Sequence, residues 1–542
     1  MRWLAIVMLG VVGCAAPAVS VDEEAVLIDE GKGDDYYSDV ADEYAVTGKV
    51  GVGLDAATYA DEELRRAAID RRLAAVSLYL TAYLAQKLYG VDLDGNGVID
   101  PSERVLSDDE NLGYGGFSAM VRNETITQKT LSGTPPAEGK TATMRAAFRV
   151  VVAGPRDLAK RLPRSSGAVS SSRTKFLLSL PAGASFDPGD LEGDEVRRFD
   201  PVKAAAAGVA LETIELSLAR ISEPDDAWPR YDAFVADGIY DLTLAYGYDP
   251  NPKRYDLVEA HKAYDGLLRM GFTAPAGVDR FEALKPDSGP FVRTAKADEK
   301  TMRIEVRVLH SDEWAGSDEG HTARREAQRA QILAELATRD VFFYNGHAGP
   351  YEGMTLDPDG IAYVSSNDLQ SLELDAHRQQ LVVAQGCQSD SQYADALYAT
   401  DAKDASNLDV VTTINYAYGE GTMALVDGLV HTDGDRHQPR SFYQLIAALN
   451  ADPINHARDV YYGVIGLGDN PALHPYANVA AIGTSCTANA QCGDPDGNWC
   501  VRKSTGGRAC AAIALGRRGC PTGTRYRQVA QGNKIVAAVC AQ

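Results

Sequence analysis

The chain has 542 residues, of which 45% are hydrophobic and 24% charged, and its 76 acidic against 53 basic side chains give a formal net charge of -23. That length accommodates two to four domains, at least one large enough for a full core. The charge excludes nucleic acid as a partner, because phosphates would be repelled, and suits calcium better than a bare anion.

The first residues, MRWLAIVMLGVVGC, carry one early basic residue and an apolar stretch from Trp3 to Val12. The stretch is too short for a membrane-spanning helix and reads as an export signal over residues 1–14. Val11-Val12-Gly13-Cys14 resembles the lipobox of bacterial lipoproteins. That resemblance implies cleavage before Cys14 and acylation of its thiol, and Ala15 in place of an acidic residue implies the outer membrane. No other stretch is long and apolar enough to span, so the expected partner is a membrane reached through lipid alone, with the body facing the periplasm or the cell surface. Residues 15–55 are acidic and Gly-rich with few aliphatics, and read as a flexible tether.

A helical segment is expected over 56–125. Leu64, Ala68, Leu73, Val76, Leu80 and Leu84 stand near helical spacing, and Gly90 gives the stop. The helix leads into Asp92-Leu93-Asp94-Gly95-Asn96-Gly97-Val98-Ile99-Asp100-Pro101-Ser102-Glu103. Asp92, Asp94, Asn96, Asp100 and Glu103 supply oxygen at positions one, three, five, nine and twelve of an EF-hand loop, Val98 offers its carbonyl, and glycine permits the turn at position six. Ca2+ is the expected cofactor, in a structural role because no second loop follows.

From 140 to 225 short β runs, Thr141 to Val152, Thr174 to Leu180 and Val209 to Ile221, are separated by Gly, Pro and Ser, and suggest a β-rich domain compatible with a sandwich. From 228 to 480 strand-like and helix-like segments alternate, which predicts an α/β unit with a mainly parallel sheet. Two of its strands end on reactive side chains: DVFFYNGHAG reaches His347 and QQLVVAQGCQSD carries Cys387. A parallel sheet presents such groups at its carboxyl edge. There the imidazole can raise the thiolate fraction of the cysteine and later protonate a leaving amine. Gly386, Ala348 and Gly349 lie where backbone amides would meet an oxyanion.

The cysteine count isolates the same thiol. Cys486, Cys492, Cys500, Cys510, Cys520 and Cys540 crowd into a Gly-rich tail, 485–542, which reads as three disulfides in any of about fifteen pairings. With Cys14 assigned to lipid, Cys387 remains, as a nucleophile or as a buried inert thiol. Asn345 or Asp390 can orient the imidazole, though a dyad needs neither. Asp312 and Glu313 are candidate walls that would favour Lys or Arg in a substrate, as are Asp433 and Asp435. His431 and His437, in HTDGDRH, read first as a surface loop and only second as a metal site.

The two strand exits resemble the caspase-like clan of cysteine peptidases, and YNGHAG most resembles its gingipain-type branch. The resemblance covers roughly residues 300–420. It implies a three-layer α/β/α catalytic domain, a His347/Cys387 dyad and cleavage of a peptide or protein substrate. Ala348 departs from the glycine usual after the histidine in that clan. The expected protein is thus multidomain α+β: a caspase-like catalytic domain with a preceding β-rich domain, acting as a lipid-anchored cysteine endopeptidase. The second reading is a surface interaction lipoprotein with a catalytically inactive peptidase-like domain.

Overall fold

The computed structural model describes residues 36–89, 121–165, 172–187, 196, 199–249, 251–311, 321–347, 354, 356, 363–387, 389, 393–415, 417, 419–494, 496–531 and 534–542. The fold is mixed α/β, and the described residues include three sheets.

The first sheet is antiparallel and contains β1 (Ala41–Asp55), β2 (Val121–Ser132), β3 (Thr141–Pro155), β4 (Arg173–Pro181) and β5 (Leu211–Arg220), in the order β2-β3-β1-β5-β4. Residues 41–55, expected in a tether, are instead its central strand, paired with β3 from Ala41↔Pro155 to Asp55↔Thr141. The reason lies in the period rather than the composition. Tyr44, Val46, Val50, Val52 and Leu54 are all buried and alternate along the strand, while the intervening Thr, Lys and Gly lower the mean hydropathy.

A second correction follows from the same pairing. β3, β4 and β5 do not form a sandwich; they share one sheet with β1 and β2, and the helix α1 (Glu62–Tyr89) packs against it. Leu73, Val76, Leu80 and Leu84 of α1 share a core with Phe148, Phe176, Leu216 and Leu218 of the strands. Leu64 is 54% exposed, so the buried stripe begins later, at Ile69. Arg72 enters the core with its donors used: Nε donates to Gly51 O (3.0 Å), and Nη2 pairs with Glu212 (2.7 Å).

The second sheet has nine strands: β6 (Ile239–Tyr246), β7 (Phe291–Ala297), β8 (Lys300–His310), β9 (Val341–Asn345), β10 (Gln380–Gln385), β11 (Leu408–Thr413), β12 (Thr432–Asp433), β13 (Arg436–His437) and β14 (Tyr462–Ile465). Their order is β12-β13-β7-β8-β6-β9-β10-β11-β14. β8, β6, β9, β10 and β11 are parallel, while β7 and β14 run antiparallel to their neighbours β8 and β11.

Among the described residues the longer helices of this unit are α2 (Tyr255–Arg269), α3 (His321–Thr338), α4 (Thr422–Leu429) and α5 (Phe442–Asn450). Val341, Phe343, Leu381 and Val383 share a core with buried residues of α2, α4 and α5. The alternate residues Phe342, Tyr344, Val382 and Ala384 share the other core with Ile332 and Leu336 of α3, and that core is continuous with the first sheet's. Burial on both faces explains why these strands read as unbroken apolar runs. The chain goes from β6 out to β8 on one side and then to β9, β10 and β11 on the other, so the topological switch lies between β6 and β9.

The tail forms the third sheet, β15 (Asn498–Arg502), β16 (Arg508–Ile513), β17 (Arg525–Gln531) and β18 (Lys534–Ala541), in the order β15-β16-β18-β17. Three disulfides cross-link it: Cys486–Cys500, Cys492–Cys510 and Cys520–Cys540. At the other end of the chain, Tyr37 makes two backbone hydrogen bonds of 2.9 Å with Val464 of β14, and its ring stacks on Tyr443 at 3.5 Å. Among the described residues no helix is long and apolar enough to cross a membrane. Cys14 and the loop Asp92 to Glu103 lie outside the described residues.

Candidate active site

The site is built from strand register. β9 and β10 pair in parallel up to Asn345↔Gln385, and β6 and β9 up to Tyr246↔Asn345. His347 and Cys387 each stand two residues beyond that last pair, at the same level of adjacent strands that run about 4.8 Å apart. They sit beside the topological switch, at the carboxyl edge where open α/β sheets form their crevices.

The exit of β9 is closely held. Gly346 N donates to Gln385 O (3.2 Å) and Gly247 N to Asn345 O (2.7 Å), so the segments leaving three strands are tied together. A Cβ at Gly346 would fall 2.8 Å from Gly247 Cα, which restricts the position to glycine. The His347 carbonyl accepts from the Tyr344 hydroxyl (2.8 Å), and its imidazole is 44% exposed. Nε2 lies 3.5 Å from Asp249 Oδ1, on the segment leaving β6. Asp249 is fixed in turn by Asn251 N (2.8 Å) and Tyr255 N (3.3 Å), so a carboxylate that shapes the entry to α2 also faces the imidazole.

The exit of β10 is anchored to β11. Ser389 Oγ donates to Ala384 O (2.7 Å) and accepts from Thr413 N (2.9 Å), while the Thr413 hydroxyl donates to the Gly386 carbonyl. Cys387 lies outside the three disulfides and is half-buried, with Sγ 3.8 Å from Ala417 O. An exposed imidazole and a half-buried thiol therefore end neighbouring strands, with a carboxylate beside the imidazole. Such an arrangement places a base and a thiol at one edge of the sheet.

The remaining expected residues divide into three groups. Ala348, Gly349, Asp312, Glu313 and Asp390 lie outside the described residues. Asn345 does not orient the imidazole: it is 5% exposed, and its Nδ2 donates to Gly419 O (2.5 Å) and Thr422 Oγ1 (2.8 Å). Asp433 and Asp435 belong to the β12–β13 hairpin; three strands separate β13 from β9, so they form no wall of this site. HTDGDRH is no plain surface loop either. His437 is buried, with Nδ1 2.7 Å from the Tyr476 hydroxyl and Nε2 2.7 Å from Leu429 O, and burial lowers its pKa to about 4.

Asp249, Ser389, Thr413 and Ala417 escape sequence reasoning because each reaches the site through tertiary pairing. The available signal is the Gly, Asp, Pro and Asn content of GYDPN after β6, which marks a turn at a strand exit. Burial, and then the charge of Glu259, holds Glu420 above the usual carboxylate range, and burial raises Glu259 despite its pairing with Lys262 (2.5 Å). No family model, curated protein or solved structure matches the chain.

Proposed function

We propose that the chain is a lipid-anchored, extracytoplasmic cysteine endopeptidase. Its nine-stranded unit would be a caspase-like three-layer domain that hydrolyses peptide bonds with His347 and Cys387. The observation that carries this reading is the register of β9 and β10, which brings the ends of two apolar strands to one level beside the switch point. Asp249 supports it, because a carboxylate 3.5 Å from Nε2 is placed to orient the ring beside the thiol.

In the reaction, His347 takes the Cys387 proton and the thiolate attacks the substrate carbonyl carbon. Amides around Gly386, Cys387, Ala348 and Gly349 would receive the oxyanion. As the tetrahedral intermediate collapses, His347 gives the proton to the departing amine and an acyl-thioester remains. Water attacks that thioester while His347 accepts its proton, and cleavage of the carbon–sulfur bond releases the acid and restores the thiol. The Asp249 carboxylate beside the imidazole would favour Lys or Arg in the substrate.

Membrane attachment through Cys14 and calcium held by Asp92, Asp94, Asn96, Val98, Asp100 and Glu103 belong to the same proposal. The described part of α1 runs to Tyr89 and so lies on the incoming side of the expected loop.

The test is labelling of the folded protein by peptide electrophiles bearing Arg, Lys, Asp or Asn at the leading position, with turnover of the matching peptide. Cys387→Ala should leave the fold intact and reduce hydrolysis by roughly a thousandfold or more. Equal turnover by parent and variant sinks the dyad. Absence of labelling at a thiol that small reagents reach would favour the inactive interaction protein.

A further inference from the structure

Asn345 and Gln385 are polar residues closing the otherwise apolar strands VFFYN and LVVAQ, and each stands two residues before a proposed catalytic group. Strand alternation sends both toward the face that carries α4, the same face as Val341, Phe343, Leu381 and Val383. There they meet one hydroxyl. Asn345 Nδ2 donates to Thr422 Oγ1 (2.8 Å), and Thr422 Oγ1 donates to Gln385 Oε1 (2.5 Å). All three residues are buried, at 5%, 2% and 1% exposure for Asn345, Thr422 and Gln385.

The chain of donors continues into the segment before α4. Asn345 Nδ2 also reaches Gly419 O (2.5 Å), and Gln385 Nε2 reaches Glu420 O (3.4 Å). Gly419 adopts φ +77, and a Cβ there would lie 2.8 Å from Asn345 Oδ1, so its carbonyl approaches only because the residue is glycine. The same segment supplies the Ala417 carbonyl, 3.8 Å from Cys387 Sγ. One hydroxyl thus connects the strand that ends on His347, the strand that ends on Cys387 and the segment that touches the thiol. A buried network whose members all have partners fixes geometry more narrowly than apolar contact does.

We propose that Thr422 is the positioning residue of the dyad: its hydroxyl, bridging Asn345 and Gln385, holds the His347 and Cys387 strand exits in their working relation. This rests on the peptidase reading above. Removing the hydroxyl at constant shape would leave Gln385 Oε1 without its donor and free the two exits to shift, and displacements of about 1 Å cost up to about 100-fold in such sites.

The experiment measures the rate of Cys387 alkylation by iodoacetamide against pH in the full chain, for the parent, Thr422→Val, Thr422→Ser and His347→Ala, each with a melting curve. In the parent, His347 should keep the thiol reactive well below the ordinary thiol range of about 8.5. Thr422→Val should slow alkylation at pH 6.5 by about 10- to 100-fold and move its profile toward that of His347→Ala. Thr422→Ser, which keeps the hydroxyl, should restore the parental profile.

If Thr422→Val lowers only the melting temperature while His347→Ala still shifts the profile, the residue is structural and this inference is overturned alone. If His347→Ala leaves the profile unchanged, the dyad fails and this inference fails with it. Should Thr422→Val not fold, Gln385→Met removes the same acceptor at similar length and is read by the same criteria.

Discussion

His437 and His474 show at single-residue scale how this protein holds ionisable groups in a neutral state. Burial lowers both, His437 to about 4 and His474 to about 3, and the second is 5% exposed against the edge of Trp228. A histidine depressed on folding costs nothing above its unfolded value near 6.5 and destabilises as pH falls from there toward its folded value. For His437 the whole effect amounts to about 3 kcal/mol. Buried Asp42 and Asp340 run the other way: burial raises both carboxyls, and the charge of Asp241 adds to it at Asp340, so their protonation favours the folded state as pH falls. The contribution of His437 is therefore read as a difference. His437→Gln should lower stability at pH 7, because two hydrogen bonds of 2.7 Å are disturbed, and should show a shallower loss than the parent between pH 6.5 and 4.5 in urea titrations. Parallel pH curves for the two proteins would refute the assignment.

At the scale of elements, legibility followed the range of the interaction. The α/β alternation over 228–480 and the strands β9 and β10 could be read because their apolar spacing is local, and His347 and Cys387 stood out because each ends such a run. β1 could not be read: its charged and glycine positions hid a period-two strand, and its partner β3 begins more than 80 residues later in the chain. Asp249 was equally hidden, because only the β6–β9 register puts it beside His347. The same distinction makes α1 informative. It packs against the first sheet, and the expected calcium loop follows it in sequence, so an ion held there should restrain the helix and hence the sheet. Asp92→Ala combined with Glu103→Ala should abolish calcium binding in calorimetry and remove the calcium-dependent gain in melting temperature. Unchanged binding heat would dismiss this loop as the site.

At the scale of the whole molecule, cross-links alone do not explain how the small tail sheet is held. Its three disulfides are all internal to 486–540, so none ties it to the nine-stranded unit. The link is made by backbone pairing, Leu515 N to Ala472 O at 2.7 Å and His474 N to Ile513 O at 2.9 Å, and by two guanidinium groups: Arg518 of the tail, whose Nη2 donates to Leu467 O (3.2 Å), and Arg436. Arg436 on β13 pairs with Asp494 (2.6 Å), Asp496 (3.3 Å) and Glu299 (2.7 Å). The Asp494 side chain is 3% exposed, and its burial already raises its pKa with the arginine present. Removing one partner of such a pair leaves a buried carboxylate without its counter-ion, a loss of about 3–5 kcal/mol when both groups are fully buried and less here, where Arg436 keeps 24% exposure. Arg436→Ala should therefore loosen the tail from the nine-stranded unit without opening its disulfides. Limited proteolysis should cut the connection around residues 470–485 faster than in the parent and release a fragment that stays cross-linked on a non-reducing gel. Cys387 alkylation should not change, because three strands lie between β13 and β9. Equal cleavage rates in parent and variant would mean that the backbone pairing and Arg518 hold the tail without the Arg436 cluster.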